Sequence, residues 1–222
     1  MFAGHIGAAL ACGRAERRVN VGTFIFAALL LDAVLWLFIL VGWESATIPP
    51  SFVSTHQAEF VFPYSHGLPA SIAWSALAGA VLLWFQRLNE RKWRCAALVG
   101  AAVFSHWLLD ALVHIPELPL LGADSAVVGL GLWQNMPVAL AVEGFIVALG
   151  LWLFIPGANL SRARKSGLVA LCTLVLAFTI VGMTMAPPPP SVAAMAGSSL
   201  VTLMVVAAIA FWLGKVPRQT RA

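Results

Sequence analysis

The chain has 222 residues, of which 61% are hydrophobic and only 10% are charged, with a formal net charge of +4. Soluble domains carry about a quarter charged residues, so this composition excludes an ordinary soluble protein and indicates an integral membrane protein. Nine tryptophans against one tyrosine fit indole rings at the bilayer interfaces.

The first apolar stretch, residues 2–13, is too short to cross a bilayer as a helix at about 1.5 Å per residue. Arg14, Arg17 and Arg18 follow this stretch instead of preceding it, which is the wrong order for a cleaved signal peptide. We therefore expect a short amino-terminal helix that is retained in the protein.

Six further apolar stretches are long enough to span a membrane as helices. They cover residues 21–43, 67–86, 95–114, 134–155, 167–185 and 192–214. Prolines are concentrated in the linkers between them, including four in a row at 187–190, where they end helices. The sequence therefore predicts an all-α, polytopic membrane helix bundle, a single integral membrane domain over residues 1–222 with about six transmembrane helices plus the short amino-terminal helix.

The lysines and arginines occur in four groups, all on one side of the predicted bundle. They are Arg14, Arg17 and Arg18; Arg87, Arg91, Lys92 and Arg94; Arg162, Arg164 and Lys165; and Lys215, Arg218 and Arg221. The opposite loops carry Glu44, Glu59, Glu117 and Asp124. The positive-inside rule places the basic side, with the carboxyl terminus, in the cytoplasm. Cations distributed in this way serve as topological anchors, and we expect no nucleic-acid partner.

Seven ionisable side chains lie within the apolar stretches or at their outer ends. They are His5, Asp32, His66, His106, Asp110, His114 and Glu143. Steps of four residues put His106, Asp110 and His114 on one stripe of the third span. An ionisable group at that depth costs at least a few kcal/mol unless it pairs or binds something. We therefore expect a polar site near the outer half of the membrane.

Imidazole and carboxylate groups are the usual ligands of zinc and similar divalent ions. A bound cation would also neutralise Asp32 and Asp110 where water cannot reach them. Simpler roles remain open for two residues: His114 as a cap at the membrane interface, and Glu143 as a protonated carboxyl bonded to a neighbouring helix. His56 lies in a predicted loop, where we expect it to be solvated only.

Four short motifs occur in order along the first half of the chain. They are Gly4-His5, Leu30-Leu31-Asp32, Ser65-His66-Gly67-Leu68 and Ser105-His106-Trp107-Leu108-Leu109-Asp110. Their order and spacing resemble the bacterial membrane-bound metal-dependent hydrolase family. The resemblance implies a location in the bacterial inner (cytoplasmic) membrane and a divalent metal ion, with zinc favoured, held by His5, Asp32, His66, His106 and Asp110. The family often has further ligands just after the position of Asp32, where this chain has Ala33-Val34-Leu35, which favours one ion over two.

A metal ion with one coordination position left open would support hydrolysis of a lipid, ester or phosphoester substrate from the extracytoplasmic side. Glu143 is then the candidate general base, and His114 would orient the substrate or carry a proton. Residues 129–133 either fold over the site or form a tight turn that anchors Trp133.

Two other functions remain open. One is a metal-ion or proton transporter, because ionisable groups at mid-membrane depth also form relays; the sequence shows no inverted repeat in its support. The other is a haem protein with His66 and either His106 or His114 as axial ligands, which nearby Asp32 and Asp110 disfavour.

The last two spans carry no ionisable residue. Small residues permit close helix contact there; they are Gly182, Ala193, Ala194, Gly197 and Ser198. We therefore expect the site-bearing helices within residues 1–155, with 156–222 as a scaffold or as the surface of a homo-oligomer. Membrane lipid is the partner that this arrangement favours.

Overall fold

The computed structural model describes residues 1–85 and 91–215. The predicted end of the second span at Gln86 and the cations Arg87, Arg218 and Arg221 lie outside the described residues. The helices are α1 (Phe2–Ala15), α2 (Val21–Ala28), α3 (Leu30–Val41), α4 (Phe52–Thr55), α5 (Leu68–Phe85), α6 (Lys92–Val113), α7 (Met136–Phe154), α8 (Arg162–Thr184) and α9 (Val192–Leu213), with a 3-10 turn at Leu132–Asn135.

Within the described residues, the five helices α5 to α9 are long and apolar enough to cross a membrane, and α2 with α3 make a sixth span if the bent pair is counted as one. The predicted all-α membrane bundle is therefore confirmed. Ser161 caps α8 by accepting a hydrogen bond from the backbone N–H of Arg164 (3.3 Å), so this helix begins before the apolar run does. Ser191 caps α9 in the same way, through the N–H of Ala194 (3.1 Å).

The first predicted span is broken in the middle. α2 ends at Ala28, α3 begins at Leu30, and the two helices are bent by 48°. Neither proline nor glycine stands at this break, which falls in the run Ala27-Ala28-Leu29-Leu30. Sharp bends are almost always found at such residues or where a side chain enters the helix ladder. Here the cause is a side chain that enters the helix ladder, and it belongs to the candidate site described below.

The short helix α1 lies inside the bundle, where it packs against α7, α2, α6 and α8. Two glycines permit this contact with α7. A Cβ atom added to Gly7 would lie 2.5 Å from the carbonyl oxygen of Ile146, and Gly150 faces Gly7 from the other side. Small residues allow the backbones of membrane helices to approach in this way. As a result, α1 carries His5 into the interior, with none of that residue's surface exposed.

The bundle has two distinct ends. At the basic end, Nη2 of Arg94 donates a hydrogen bond to the carbonyl oxygen of Ala15 (2.8 Å). At the opposite end, which we call the site end, Nε2 of Gln57 donates to the carbonyl oxygen of Trp133 (3.4 Å). The predicted basic and acidic loops thus lie at separate ends. The placement of the basic end in the cytoplasm stays a prediction.

Two small antiparallel sheets cover the site end. β1 (Ser45–Thr47) pairs with β2 (Glu59–Val61), and β3 (Leu118–Pro119) pairs with β4 (Val127–Val128). These strands were not predicted from the sequence. Phe62, just after β2, is 2% exposed, and its ring centroid lies 4.9 Å from that of His66. The sheets therefore pack directly over the polar interior.

Candidate metal centre

Four segments of the chain bring the five predicted ligands together. His5 comes from α1, Asp32 from α3, His66 from the turn before α5, and both His106 and Asp110 from α6. His5, His66, His106 and Asp110 are at most 2% exposed, whereas the side chain of Asp32 is 23% exposed. The residues singled out by the sequence therefore share one buried location.

Three of these side chains form a compact triangle of ligand atoms. Nε2 of His66 lies 3.1 Å from Nε2 of His106. Oδ2 of Asp110 lies 3.4 Å from Nε2 of His66 and 3.1 Å from Nε2 of His106. Oδ1 of Asp32 faces the same two nitrogens at 3.8 and 3.6 Å. Nitrogen and oxygen donors of four residues thus converge.

These separations suit a metal ion. Zinc holds nitrogen and oxygen donors at about 2.0–2.2 Å, which puts neighbouring donors of a tetrahedral site roughly 3.3 Å apart. Two overlapping groups have all donor atoms within 4.8 Å of one another, namely His66, His106 and Asp110, and His5, Asp32 and His106. Both groups use His106, and one imidazole nitrogen binds one ion. The arrangement could hold a single ion; the number and identity of the ion stay predictions.

Backbone and hydroxyl groups orient the two central histidines. Nδ1 of His106 donates to the carbonyl oxygen of Ala28 (2.7 Å), which in an unbroken helix would accept from the N–H of Asp32. Nδ1 of His66 shares a hydrogen bond with Oγ of Ser65 (2.8 Å). Metal-binding histidines usually engage their other ring nitrogen in this way, which fixes the ring and the tautomer. Both Nε2 atoms are thereby left facing the cluster.

His5 completes the cluster in a different way. Its ring stacks on that of His106, with centroids 3.7 Å apart and planes 9° apart. Nε2 of His5 lies 3.2 Å from Oδ1 of Asp110, but without the alignment of a hydrogen bond, so neither ring nitrogen has a hydrogen-bond partner among the described residues. The amino group of Met1 lies 3.5 Å from the same oxygen. A fully buried imidazole without partners is costly, and coordination of an ion would remove that cost.

Glu44 supports His66 from the loop after α3, a role that the sequence analysis missed. Its Oε1 accepts hydrogen bonds from the backbone N–H groups of Tyr64 and Ser65, both at 2.8 Å. Glu44 is only 5% exposed. Burial raises the pKa of this carboxyl, because the two N–H donors offset only part of the lost hydration. The carboxyl thus holds the turn that presents His66.

Glu143 binds the beginning of α1. Its Oε2 accepts hydrogen bonds from the backbone N–H groups of Ala3 and Gly4, both at 3.1 Å. The first N–H groups of a helix have no partner within it, and a carboxylate is favoured there. Glu143 therefore anchors the helix that carries His5. Its role as the general base stays a prediction.

His114 lies at the edge of the cluster and pairs with Glu117. Nδ1 of His114 donates to Oε1 of Glu117, and its Nε2 lies 3.9 Å from Oδ2 of Asp110. The ring centroid of Trp133 lies 4.2 Å from that of His114. Glu117 was counted only as a loop charge in the sequence analysis. Its position three residues after His114 was the available signal, but Pro116 between them indicated that the helix had already ended.

The loop before α7 folds over this region, as one of the two sequence-based alternatives expects. The backbone N–H of Gly131 donates to the carbonyl oxygen of His114 (2.7 Å), and the backbone N–H of Leu130 donates to the carbonyl oxygen of Ala111 (2.8 Å).

His56 lies apart from the cluster: its Nδ1 donates to the carbonyl oxygen of Ala186 (2.9 Å). This histidine is therefore engaged in a loop contact and is not merely solvated.

A cavity of about 490 Å³ adjoins the cluster, within the range of roughly 300–1,000 Å³ that is usual for small-molecule sites. Asp32, His66, Asp110, His114 and Glu143 lie along one part of it. Aromatic and aliphatic side chains, the last turns of α8 and the first half of α9 form the rest, as listed here: Met1, Phe2, Leu35, Trp36, Phe60, Phe62, Trp133, Phe178, Thr179, Gly182, Met183, Ser198, Ser199, Thr202 and Leu203. The last two spans, expected to be scaffold, therefore border the site.

Comparison with protein-family models, with curated proteins and with solved structures found no match to this chain. The resemblance to metal-dependent hydrolases therefore depends on the four motifs, and what it implies for activity stays a prediction.

Proposed function

We propose that this protein is a membrane-embedded, metal-dependent hydrolase that acts on the ester or phosphoester group of a lipid from the extracytoplasmic side. The observation that carries the proposal is the position of the donor cluster at one part of a largely apolar cavity. A site that cleaves a lipid needs polar groups for the bond and apolar surface for the rest of the molecule. The order of the four motifs supports the same class of reaction.

In this proposal His66, His106 and Asp110 hold one divalent ion, zinc by preference, with Asp32 and His5 completing its surroundings. The bound ion would supply Lewis-acid polarisation of the substrate oxygen and a more acidic water. Asp32 is the most exposed member of the cluster, so it is the one best placed to meet the polar group of a substrate.

His114 is the better-placed group for proton transfer. His114 lines the cavity, and because its Nδ1 is engaged by Glu117, its Nε2 is left free on the side of Asp110, 3.9 Å from Oδ2, as in other carboxylate–histidine pairs. It would take a proton from the attacking water or return one to the leaving oxygen. Glu143 has one carboxyl oxygen committed to α1, and we assign it to positioning His5.

The interior between the cluster and the basic end weighs against the transporter alternative. Leu10 of α1, Ile25 of α2 and Val99 of α6 are buried there, at no more than 4% exposure. A cation or proton path through the bundle needs polar groups or water on both sides of the midplane. Among the described residues, the buried polar side chains other than Glu16 at the basic end lie toward the site end, which suits a substrate that arrives from that end.

The spacing of the histidines weighs against a haem. Axial ligands stand on opposite faces of a porphyrin, whereas Nε2 of His66 and Nε2 of His106 lie 3.1 Å apart. Asp110 approaches both of them on the same side.

The proposal is tested on detergent-purified protein by elemental analysis, together with mass spectrometry of products from a panel of phospholipids and fatty-acyl esters. We expect about one zinc per chain and release of one product class, lost after chelation and restored by zinc. Metal-loaded protein that hydrolyses none of the panel, but passes zinc or protons across liposomes, would establish the transporter instead.

A further inference from the structure

The cavity beside the donor cluster continues into a crevice between α8 and α9, at their site ends. Thr179 and Gly182 of α8 and Ser198, Ser199 and Thr202 of α9 line it. A Cβ atom added to Gly182 would meet no described atom within 4 Å. Gly182 therefore borders open space, which the lining residues place between two helices that follow one another in the chain.

The linker between these helices is long enough to join helices that are separated by a crevice. Residues 187–190 are all proline, and a polyproline segment rises about 3.1 Å per residue, so four residues extend roughly 12 Å. Packed helices have axes only about 8–10 Å apart. The hydrogen bond from His56 to the carbonyl oxygen of Ala186 (2.9 Å) fixes the start of the linker. A connection of this length does not require the site ends of α8 and α9 to pack closely against each other.

Two of the four hydroxyl groups that line the crevice are already bonded within their own helices; the other two belong to Ser199 and Thr202. The hydroxyl of Thr179 already donates to the carbonyl oxygen of Val175 (2.9 Å), and that of Ser198 donates to Met195 (3.1 Å). Phe178 and Leu203 add apolar surface. A hydrocarbon chain therefore fits this part of the cavity, whereas the donor cluster at its other part suits a polar or anionic group.

The crevice also lies next to surface that suits lipid. Phe178 is 58% exposed, Val181 51% and Val201 63%, on helices that are long enough to span the bilayer. A chain entering here from the membrane would pass from one apolar environment to another and would expose no polar group on the way.

We infer that the crevice between α8 and α9 binds the hydrocarbon chain of a membrane lipid that enters sideways from the bilayer, with its ester or phosphoester group at the donor cluster. The part of this inference that concerns the head group rests on the proposed hydrolase function; the part that concerns chain binding does not.

The first test measures binding without activity. A phosphatidylglycerol analogue with a photoactivatable diazirine in one acyl chain is incorporated in vesicles with the purified protein, and labelled peptides are mapped by mass spectrometry. We expect labelling centred on residues 178–183 and 198–203. G182W, which fills the crevice, should lower that labelling at least tenfold. The matched control is G197W, because a Cβ at Gly197 also meets no atom within 4 Å but Gly197 does not line the cavity.

The second test measures hydrolysis of a long-chain ester and of a short-chain, water-soluble ester with the same head group. We expect G182W to lower the ratio of long-chain to short-chain kcat/KM at least tenfold, with the zinc content retained and with G197W at the wild-type ratio. An equal loss for both esters, or none for either, would overturn the assignment of the crevice to the chain.

The outcomes separate the two proposals. If wild-type protein hydrolyses neither ester, the hydrolase proposal fails, and the labelling pattern alone decides whether the crevice binds a chain. Uniform labelling of all lipid-facing helices, unchanged in G182W, would refute chain binding. So would a stable dimer in which cross-links join α8 of one copy to α9 of the next and exclude the lipid probe.

Discussion

Nδ1 of His106 donates a hydrogen bond of 2.7 Å to the carbonyl oxygen of Ala28, at the point where α2 ends and the chain bends by 48° into α3. The bend makes that oxygen available, and the oxygen in turn selects the tautomer of His106 that leaves Nε2 for an ion. The same bend begins α3, which carries Asp32. One interruption of a helix therefore sets the positions of two candidate ligands.

Removal of His106 should abolish stable metal binding. His106 belongs to both donor groups, so H106A removes a direct ligand and is expected to retain no zinc after dialysis. The measurement is zinc content by elemental analysis after dialysis against a weak chelator. H56A is the matched control, since His56 bonds a loop carbonyl away from the cluster and its removal should leave the zinc content unchanged. Equal zinc in all three proteins would contradict the assigned site.

Glu44 should act on metal binding through His66. E44A leaves the backbone N–H groups of Tyr64 and Ser65 without their acceptor, and loss of such a supporting contact typically weakens metal binding by about 10–100-fold. E44Q retains an oxygen that can accept both hydrogen bonds and should stay near the wild-type affinity. Zinc titration with a competing indicator measures the difference. If E44A and E44Q bind zinc equally well, the carboxyl does not position His66.

The same carboxyl should make stability depend on pH. Burial raises the pKa of Glu44 above its usual value of 4.5, so the folded protein holds this proton more tightly than the unfolded chain does. Its contribution to stability is then full below pH 4.5 and is lost as the pH rises through the folded-state pKa. Thermal unfolding of wild type and E44Q across a pH series should show the stability of wild type falling relative to that of E44Q as the pH rises from 4.5 through the folded-state pKa. A difference that does not change with pH would argue against this assignment.

The contact between α1 and α7 should tolerate no side chain at Gly7. G7A would place a Cβ 2.5 Å from the carbonyl oxygen of Ile146, and overpacking of this kind typically costs about 1–3 kcal/mol. We expect a lower thermal midpoint in detergent and weaker zinc binding, because α1 carries His5. G197A provides the control, since a Cβ meets nothing there within 4 Å. A G7A protein as stable as G197A would show that the helices are not in such close contact.

Substitutions of Glu143 distinguish a positioning role from a base. If Glu143 anchors α1, E143Q should keep its hydrogen bonds to Ala3 and Gly4 and retain both zinc and hydrolysis, whereas E143A should lose zinc. If Glu143 is the general base, E143Q should keep zinc and lose hydrolysis by about 10²–10⁴-fold. Parallel zinc and activity measurements on the two variants decide between them.

Much of this arrangement was accessible from the sequence because membrane burial leaves few choices. His66, His106 and Asp110 stand in or beside apolar runs, where an unpaired polar group is too costly, so their convergence followed from span order and the motif resemblance. The roles of Glu44 and Glu117 were not predicted because an acidic residue in a loop is usually solvated, and nothing in the local sequence marks the exceptions. The helix break after Ala28 was not predicted for another reason: it is stabilised by His106, a residue distant in sequence, and not by a local helix breaker.

The interior position of α1 has a consequence for biosynthesis. This helix precedes its main contact, α7, by about 120 residues, since α1 ends at Ala15 and α7 begins at Met136. At about 5–20 residues per second, synthesis of the intervening chain takes on the order of ten seconds. Until α7 is synthesised, His5 lacks the enclosure that seats it against His106, so we expect the ion to bind only after α7 has been inserted.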